Sequence, residues 1–155
     1  MIGTIGPNFS QVDATAEFPL GTIAYSADGT KAYRYVLFNN GVGNVAAVAG
    51  NFAYVYAVSG ASAGQTTTVT MDLTDSAGIG AGVFQSVPAD GEYCWLQVSG
   101  FATLTTALTA GADGNALTPV GSTDGTLDVS ALVTDHICAI AVDASAKIVQ
   151  LVGML

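Results

Sequence analysis

VFQSVPADGEYCWLQVSGFATLTT, residues Val83 to Thr106, decides the fold class. Val83 to Val87 interleaves apolar residues with Gln85 and Ser86 and stops at Pro88, which has no N–H to give a strand ladder. Ala89-Asp90-Gly91-Glu92 holds the Asp-Gly pair of a tight hairpin turn, in which glycine accepts a positive φ. Tyr93 to Val98 concentrates aromatic and β-branched residues in a short run, the composition of a strand. Ser99-Gly100 is a second turn signal, and Phe101 to Thr106 is expected to leave it as a third strand. The only tryptophan, Trp95, sits at the centre, a large ring suited to anchoring a barrel or sandwich core. Trp95 and Leu96 fall on opposite faces of one strand, so one is expected at the core and the other at an interface.

Upstream, Phe18-Pro19-Leu20-Gly21 opens the folded part. Thr22 to Tyr25 and Ala32 to Phe38 read as strands joined through Asp28-Gly29-Thr30. Tyr33, Tyr35 and Leu37 share one face of the second, and Ala32, Arg34, Val36 and Phe38 the other. Bulk on both faces predicts cover on both sides, or a place at an interface. Val45 to Ala49 is ambiguous, since one helical turn fits before Gly50-Asn51 stops it. Phe52 to Val58 alternates as a strand, Ser59 to Gln65 is a loop of small residues, and Thr66 to Leu73 is a Thr-rich strand. Asp75 to Gly82 reads as a Gly/Ala loop. Downstream, Thr109 to Asp128 is loop-rich, and Ile137 to Val142 and Lys147 to Val152 form a hairpin across Asp143 to Ala146.

About nine or ten short strands with tight connections predict an all-β protein, a single antiparallel β-barrel or sandwich. The N-terminal residues 1–17 stand apart as an extended arm, leaving 18–155 as the barrel-like domain. Ile2, Ile5, Phe9 and Val12 are spaced among Gly, Pro and Asn, and Gly6-Pro7-Asn8 forbids a regular helix. Apolar residues on a segment with no core of its own call for burial elsewhere, on its own barrel or on a neighbouring subunit.

Composition narrows the function classes. Half of the 155 residues are hydrophobic and only 10% are charged, against about a quarter in an average domain. Three basic residues against twelve acidic give a net charge of −9. Nucleic acid is not an expected partner, because phosphate contacts need Lys and Arg, and an anionic membrane surface is disfavoured on the same ground. The N-terminal stretch lacks the basic and apolar regions of a secretory signal, and no run reaches the roughly 20 apolar residues of a membrane span. A soluble protein made in a cytoplasm is expected. Cys94 and Cys138 lie far apart in strand-like runs. Buried free thiols are the default reading, and one disulfide across the core is the alternative.

The search for chemistry finds no enzyme signature. His136 is the only histidine and sits beside Asp135 at a strand start, a structural position. No Ser lies in a G-x-S-x-G elbow. Gly78-Ile79-Gly80-Ala81-Gly82 lacks the Lys and Ser/Thr of a phosphate loop. Asp90 and Glu92 belong to one tight turn rather than to an acid–base pair in a cleft. Asp72 with Asp75, or Asp124 with Asp128, offers oxygen ligands without EF-hand spacing. No cofactor and no metal is expected.

Leu20-Gly21-Thr22, Asp28-Gly29-Thr30 and Tyr33-Arg34-Tyr35-Val36 resemble the opening of small tailed-phage virion proteins. Gly91 to Gly100, GEYCWLQVSG, is similar to a G-Y-G-W-V-Q-V-x-G run of the same set, with Cys94 in place of a glycine, and Ile137 to Leu151 resembles their closing strands. The resemblance covers most of Leu20 to Val152. It implies a capsid decoration, or cement, protein: non-enzymatic, bound to the major capsid protein on the outside of the virion shell, and often a homotrimer. A tail, fibre or adhesin-type module is the alternative, and a small-ligand-binding barrel is a further one. The residues expected to meet a partner are Ile2, Ile5, Phe9, Val12, Tyr33, Tyr35 and Trp95.

Overall fold

The structure is a computed structural model, and it describes residues 6–57 and 67–155. Its strands in chain order are β1 (Val12–Asp13), β2 (Ile23–Tyr25), β3 (Ala32–Phe38), β4 (Phe52–Tyr56), β5 (Thr68–Thr70), β6 (Ser76–Phe84), β7 (Tyr93–Thr103), β8 (Ala116–Thr118), β9 (Asp128–Val129), β10 (Ala139–Asp143) and β11 (Ile148–Leu151). Among the described residues there is no α-helix; a short 3-10 turn, Leu73–Asp75, is capped by the Asp72 side chain on the Thr74 N–H.

The chain is all-β. β3, β5, β4, β6 and β7 pair in that order, and β7 pairs back to β3, so the sheet closes into a barrel. Closure satisfies the backbone groups that an open sheet would leave on its edges. All pairings in the ring are antiparallel except β3–β5. β11, β10, β8 and β9 continue outward from the last residues of β7 as an antiparallel sheet. One core runs through both parts, from Val36, Phe38, Phe84 and Leu96 of the barrel to Leu117, Cys138, Val149 and Leu151 of the outer sheet.

β7 is the spine. Cys94 pairs with Val12 of β1 on one edge and Val36 of β3 on the other, and Leu96 pairs with Arg34 of β3 and Phe84 of β6. Its last four residues, Gly100 to Thr103, pair with β11. Ser99-Gly100 is therefore not a turn between two strands, as the sequence predicts, but a bend within one eleven-residue strand. Gly100 has φ +90, and a Cβ there would sit 2.5 Å from the Thr30 carbonyl oxygen. The glycine bends the strand out of the barrel and into the outer sheet, a use of positive φ that local sequence cannot separate from a turn.

Asp75 to Gly82 also departs from expectation. Most of it is strand β6, not loop. At Gly80 a Cβ would meet the Cys138 Cβ at 2.7 Å and the Phe52 ring at 3.1 Å. The small residues are there to let the outer sheet approach the barrel wall, which is why the stretch lacks the bulk of a strand. Val45 to Ala49 forms no helical turn. It is pinned as irregular backbone by Val45 N–H to the Asn40 carbonyl (2.8 Å) and Asn51 N–H to that of Val48 (3.0 Å). Inside the loop-rich 109–128 the structure adds β8, built on pairing with β10, and the start of β9, built on pairing with β8, rather than on local periodicity.

Other local readings match the strands. Asp28-Gly29-Thr30 joins β2 to β3, and the Asp28 carboxylate accepts from the Ser26 hydroxyl (2.6 Å), the Thr30 N–H (3.1 Å) and the Thr30 hydroxyl (2.9 Å). Asp90-Gly91 turns as expected, with Glu92 N–H on the Ala89 carbonyl (3.0 Å). Asp143 to Ala146 joins β10 to β11, with Lys147 at φ +60 beside a bulge.

Candidate partner-binding surface

Alternation along β3 and β7 places Val36, Phe38, Cys94, Leu96 and Val98 in the main core and Tyr33, Tyr35 and Trp95 together on the opposite face. Leu96 is thus the core residue of the Trp95–Leu96 pair. The second face is covered by the chain's own N-terminal segment. Phe9 stacks on Tyr33 with ring centroids 3.8 Å apart and meets Trp95 edge-on at 5.5 Å. Phe18 meets Tyr35 and Trp95 edge-on, both at 5.3 Å. Offset and edge-on pairs match the positive rim of one ring to the negative face of the next, a gain beyond the apolar area removed from water. Tyr35 is 0% exposed and Trp95 1%.

A polar latch holds the same segment. The Tyr35 hydroxyl donates to Asp13 Oδ2 (2.5 Å), Gln11 Nε2 donates to Asp13 Oδ1 (2.5 Å) and to Glu17 Oε2 (2.8 Å), and Glu17 N–H donates to the Tyr35 oxygen (3.3 Å). Burial and then the Asp13 hydrogen bond push the Tyr35 phenol up to about 12, so it stays a donor throughout the ordinary pH range. Asp13 is itself buried, so breaking the latch leaves a carboxylate in an apolar setting. The Trp95 indole N–H is buried with no hydrogen-bond partner.

Of the seven residues the sequence nominates for a partner, Ile2 and Ile5 lie outside the described residues. Phe9, Tyr33, Tyr35 and Trp95 are brought together on one patch, with Phe9 over the three buried rings, whereas Val12 pairs with Cys94 and so falls on the main-core face of β7, apart from them. Asp13 and Phe18 complete the patch and were not singled out by pattern. Asp13 lacks any local signal for its latch, whereas Phe18 could have been found as an aromatic just before the first strand.

A different face is open. On the outer sheet Phe101, Gln150, Ile140 and Ala116 are aligned in one row across β7, β11, β10 and β8, with Thr103 opposite Ile148 beside them. Phe101 is 57% exposed, and none of these six side chains is charged. The signal was present in the alternation of Phe101 and Thr103 with buried Ala102 and Leu104.

The polar groups considered for chemistry are engaged in backbone structure. Asp72 Oδ2 accepts the Gly43 N–H (2.8 Å), Asp75 Oδ2 the Val42 N–H (2.5 Å), and Asp124 Oδ1 the Leu73 N–H (2.8 Å). Asp90 accepts from Asn40 N–H (3.0 Å) and Glu92 from Ala89 N–H (2.8 Å). Among the described residues no group of three His, Cys, Asp or Glu side chains is arranged to hold a metal ion. Cys94 and Cys138 are free and buried. Burial, and secondarily the Asp13 charge, pushes the Cys94 thiol up to about 12, and burial pushes Cys138 up as well. Neither is poised as a nucleophile, which needs a lowered thiol pKa. No helix among the described residues is long and apolar enough to cross a membrane. Compared with known protein families, characterised proteins and solved structures, the chain matches none.

Proposed function

We propose that this chain is a non-enzymatic virion structural protein that decorates the outside of a tailed-phage capsid, binding the major capsid protein as a homo-oligomer, with a trimer favoured. The observation that carries this reading is the uncharged outer-sheet face around Phe101, Ile140 and Ile148, held rigid by a four-strand ladder. An uncharged outer-sheet face with Phe101 and Thr103 exposed and Ile140, Ile148, Ala116 and Gln150 half-buried suits burial against another protein surface. The clamped arm supports the reading as well. With its rings spent on Tyr33 and Trp95, the arm braces the barrel, and the outer sheet is left as the contact surface.

The test is cosedimentation of the purified protein with undecorated shells of its parent particle, alongside light scattering. Wild-type protein is expected to pellet with shells, and Phe101→Asp to lose that binding while circular dichroism and melting temperature hold. Full-strength binding by Phe101→Asp would move the contact to another face. Failure of the wild type to bind shells, with recovery on tails or fibres instead, would replace decoration by the tail-module reading.

A further inference from the structure

A cavity of about 270 Å3 opens between barrel strands β3, β4 and β6 and the residues Gly153 and Met154. Arg34 on β3 and His136 line it together with the apolar side chains of Val55, Ile79, Met154 and Leu155, of which Ile79 and Leu155 are exposed at its mouth. Arg34 is one of only three basic residues in the chain, and it shares its strand face with Val36 and Phe38 of the core. Its Nε is buried and has no hydrogen-bond partner. That atom is closed to the cavity, but Arg34 as a whole is half-buried and lines it, so a ligand meets the outer part of the guanidinium.

His136 supplies a second donor. Its Nδ1 accepts the Gly80 N–H at 3.1 Å, so the proton of the neutral ring resides on Nε2. Nε2 lies toward Gly153, whose Cβ position would be 3.9 Å away, and Gly153 lines the same cavity. The site thus offers one fixed positive charge and one neutral N–H donor against apolar walls. That set matches a singly charged, planar, two-oxygen acceptor better than a doubly charged phosphate.

We propose that this cavity binds a monocarboxylate carrying a short apolar chain, with the carboxylate on Arg34 and His136 Nε2 and the chain against Val55 and Met154. The carboxylate can belong to a free small acid or to the C-terminal end of a peptide, and the two sources are separated by probe. This site is independent of the decoration reading and survives its failure.

His136 is the only histidine, so its ring proton signals in a one-dimensional NMR spectrum need no assignment. The probes are hexanoate, an N-acetylated dipeptide ending in leucine with a free carboxylate, hexanol and inorganic phosphate. A saturable shift of the His136 signal with hexanoate or the dipeptide is expected, and none with hexanol or phosphate over the same range. Tighter binding of the dipeptide identifies a chain end as the source, and tighter binding of hexanoate a free acid. Arg34→Met is expected to weaken binding at least tenfold without lowering the melting temperature, since it removes an unpartnered buried N–H. Arg34→Lys keeps the charge but loses the planar fork, and falls between. The proposal is overturned if neither carboxylate gives a saturable shift, if phosphate or hexanol matches them, or if a folded Arg34→Met binds as tightly as wild type. Should Arg34→Met not fold, the wild-type titration with its hexanol control decides alone.

Discussion

Replacing Phe9 with alanine tests whether the N-terminal segment braces the barrel. Truncating a fully buried Phe costs about 3–5 kcal/mol. Phe9 is half-buried, so roughly half of that applies, and its contacts with Tyr33 and Trp95 keep it from falling lower. The expectation is a loss of about 2 kcal/mol, which lowers the melting temperature by about 4–8 °C in a chain of this size. Trp95 is the sole tryptophan and lies under the Phe9 ring, so its fluorescence reports the seat directly. Urea unfolding followed by that fluorescence should show an earlier midpoint, together with red-shifted emission from the native state as water reaches the indole. Leu96→Ala is the control. It sits in the main core on the opposite face, so it should cost about 2–5 kcal/mol while leaving native emission in place. Unchanged midpoint and emission in Phe9→Ala would refute the seating of the arm on the aromatic patch. A near-zero cost for Leu96→Ala would refute the assignment of faces along β7.

Acid should destabilise the fold through its turn carboxylates. Hydrogen bonds from Ser26 and then Thr30 lower Asp28 from 3.8 to about 2, and Asp72, Asp135 and Asp143 are lowered by Thr74, by the Leu132 N–H and by the Ala146 N–H. A lowered folded pKa gives stability that is complete above the unfolded value and is lost as pH falls through the folded one. Urea midpoints should therefore fall from pH 4 toward 2, and a midpoint flat over that window would contradict the turn hydrogen bonds. Both thiols should resist iodoacetamide in the native state at neutral pH and react fully once unfolded without reductant; mass spectrometry showing a bridge, or rapid native labelling, would contradict two buried free cysteines. Gly80→Ala places a methyl group 2.7 Å from the Cys138 Cβ, so it should destabilise by about 1–3 kcal/mol, as overpacking does, and a neutral melting curve would show that the outer sheet does not press on β6 there.

Strand class and the local hairpins were legible in the sequence because their causes are local. The β2–β3 turn is made by Asp28 bonding its own neighbours, and the β10–β11 turn by Asp143 doing the same through Ser145 and Ala146. Bulk on both faces of Tyr33 to Phe38 likewise left β3 either covered on both sides or at an interface, and the structure covers both within the chain. What covers each face was decided by tertiary structure. Phe9 sits on Tyr33, and Asp13 on Tyr35 across 22 positions, through contacts that leave no periodic trace. The glycines mark the same boundary. Gly91 turns the chain, Gly100 bends one strand from barrel to sheet, and Gly80 makes room for Cys138. A missing Cβ permits all three, so composition announces that the backbone is special without saying how. The choice falls to whatever packs against it, and that is settled only when strands distant in sequence close the barrel.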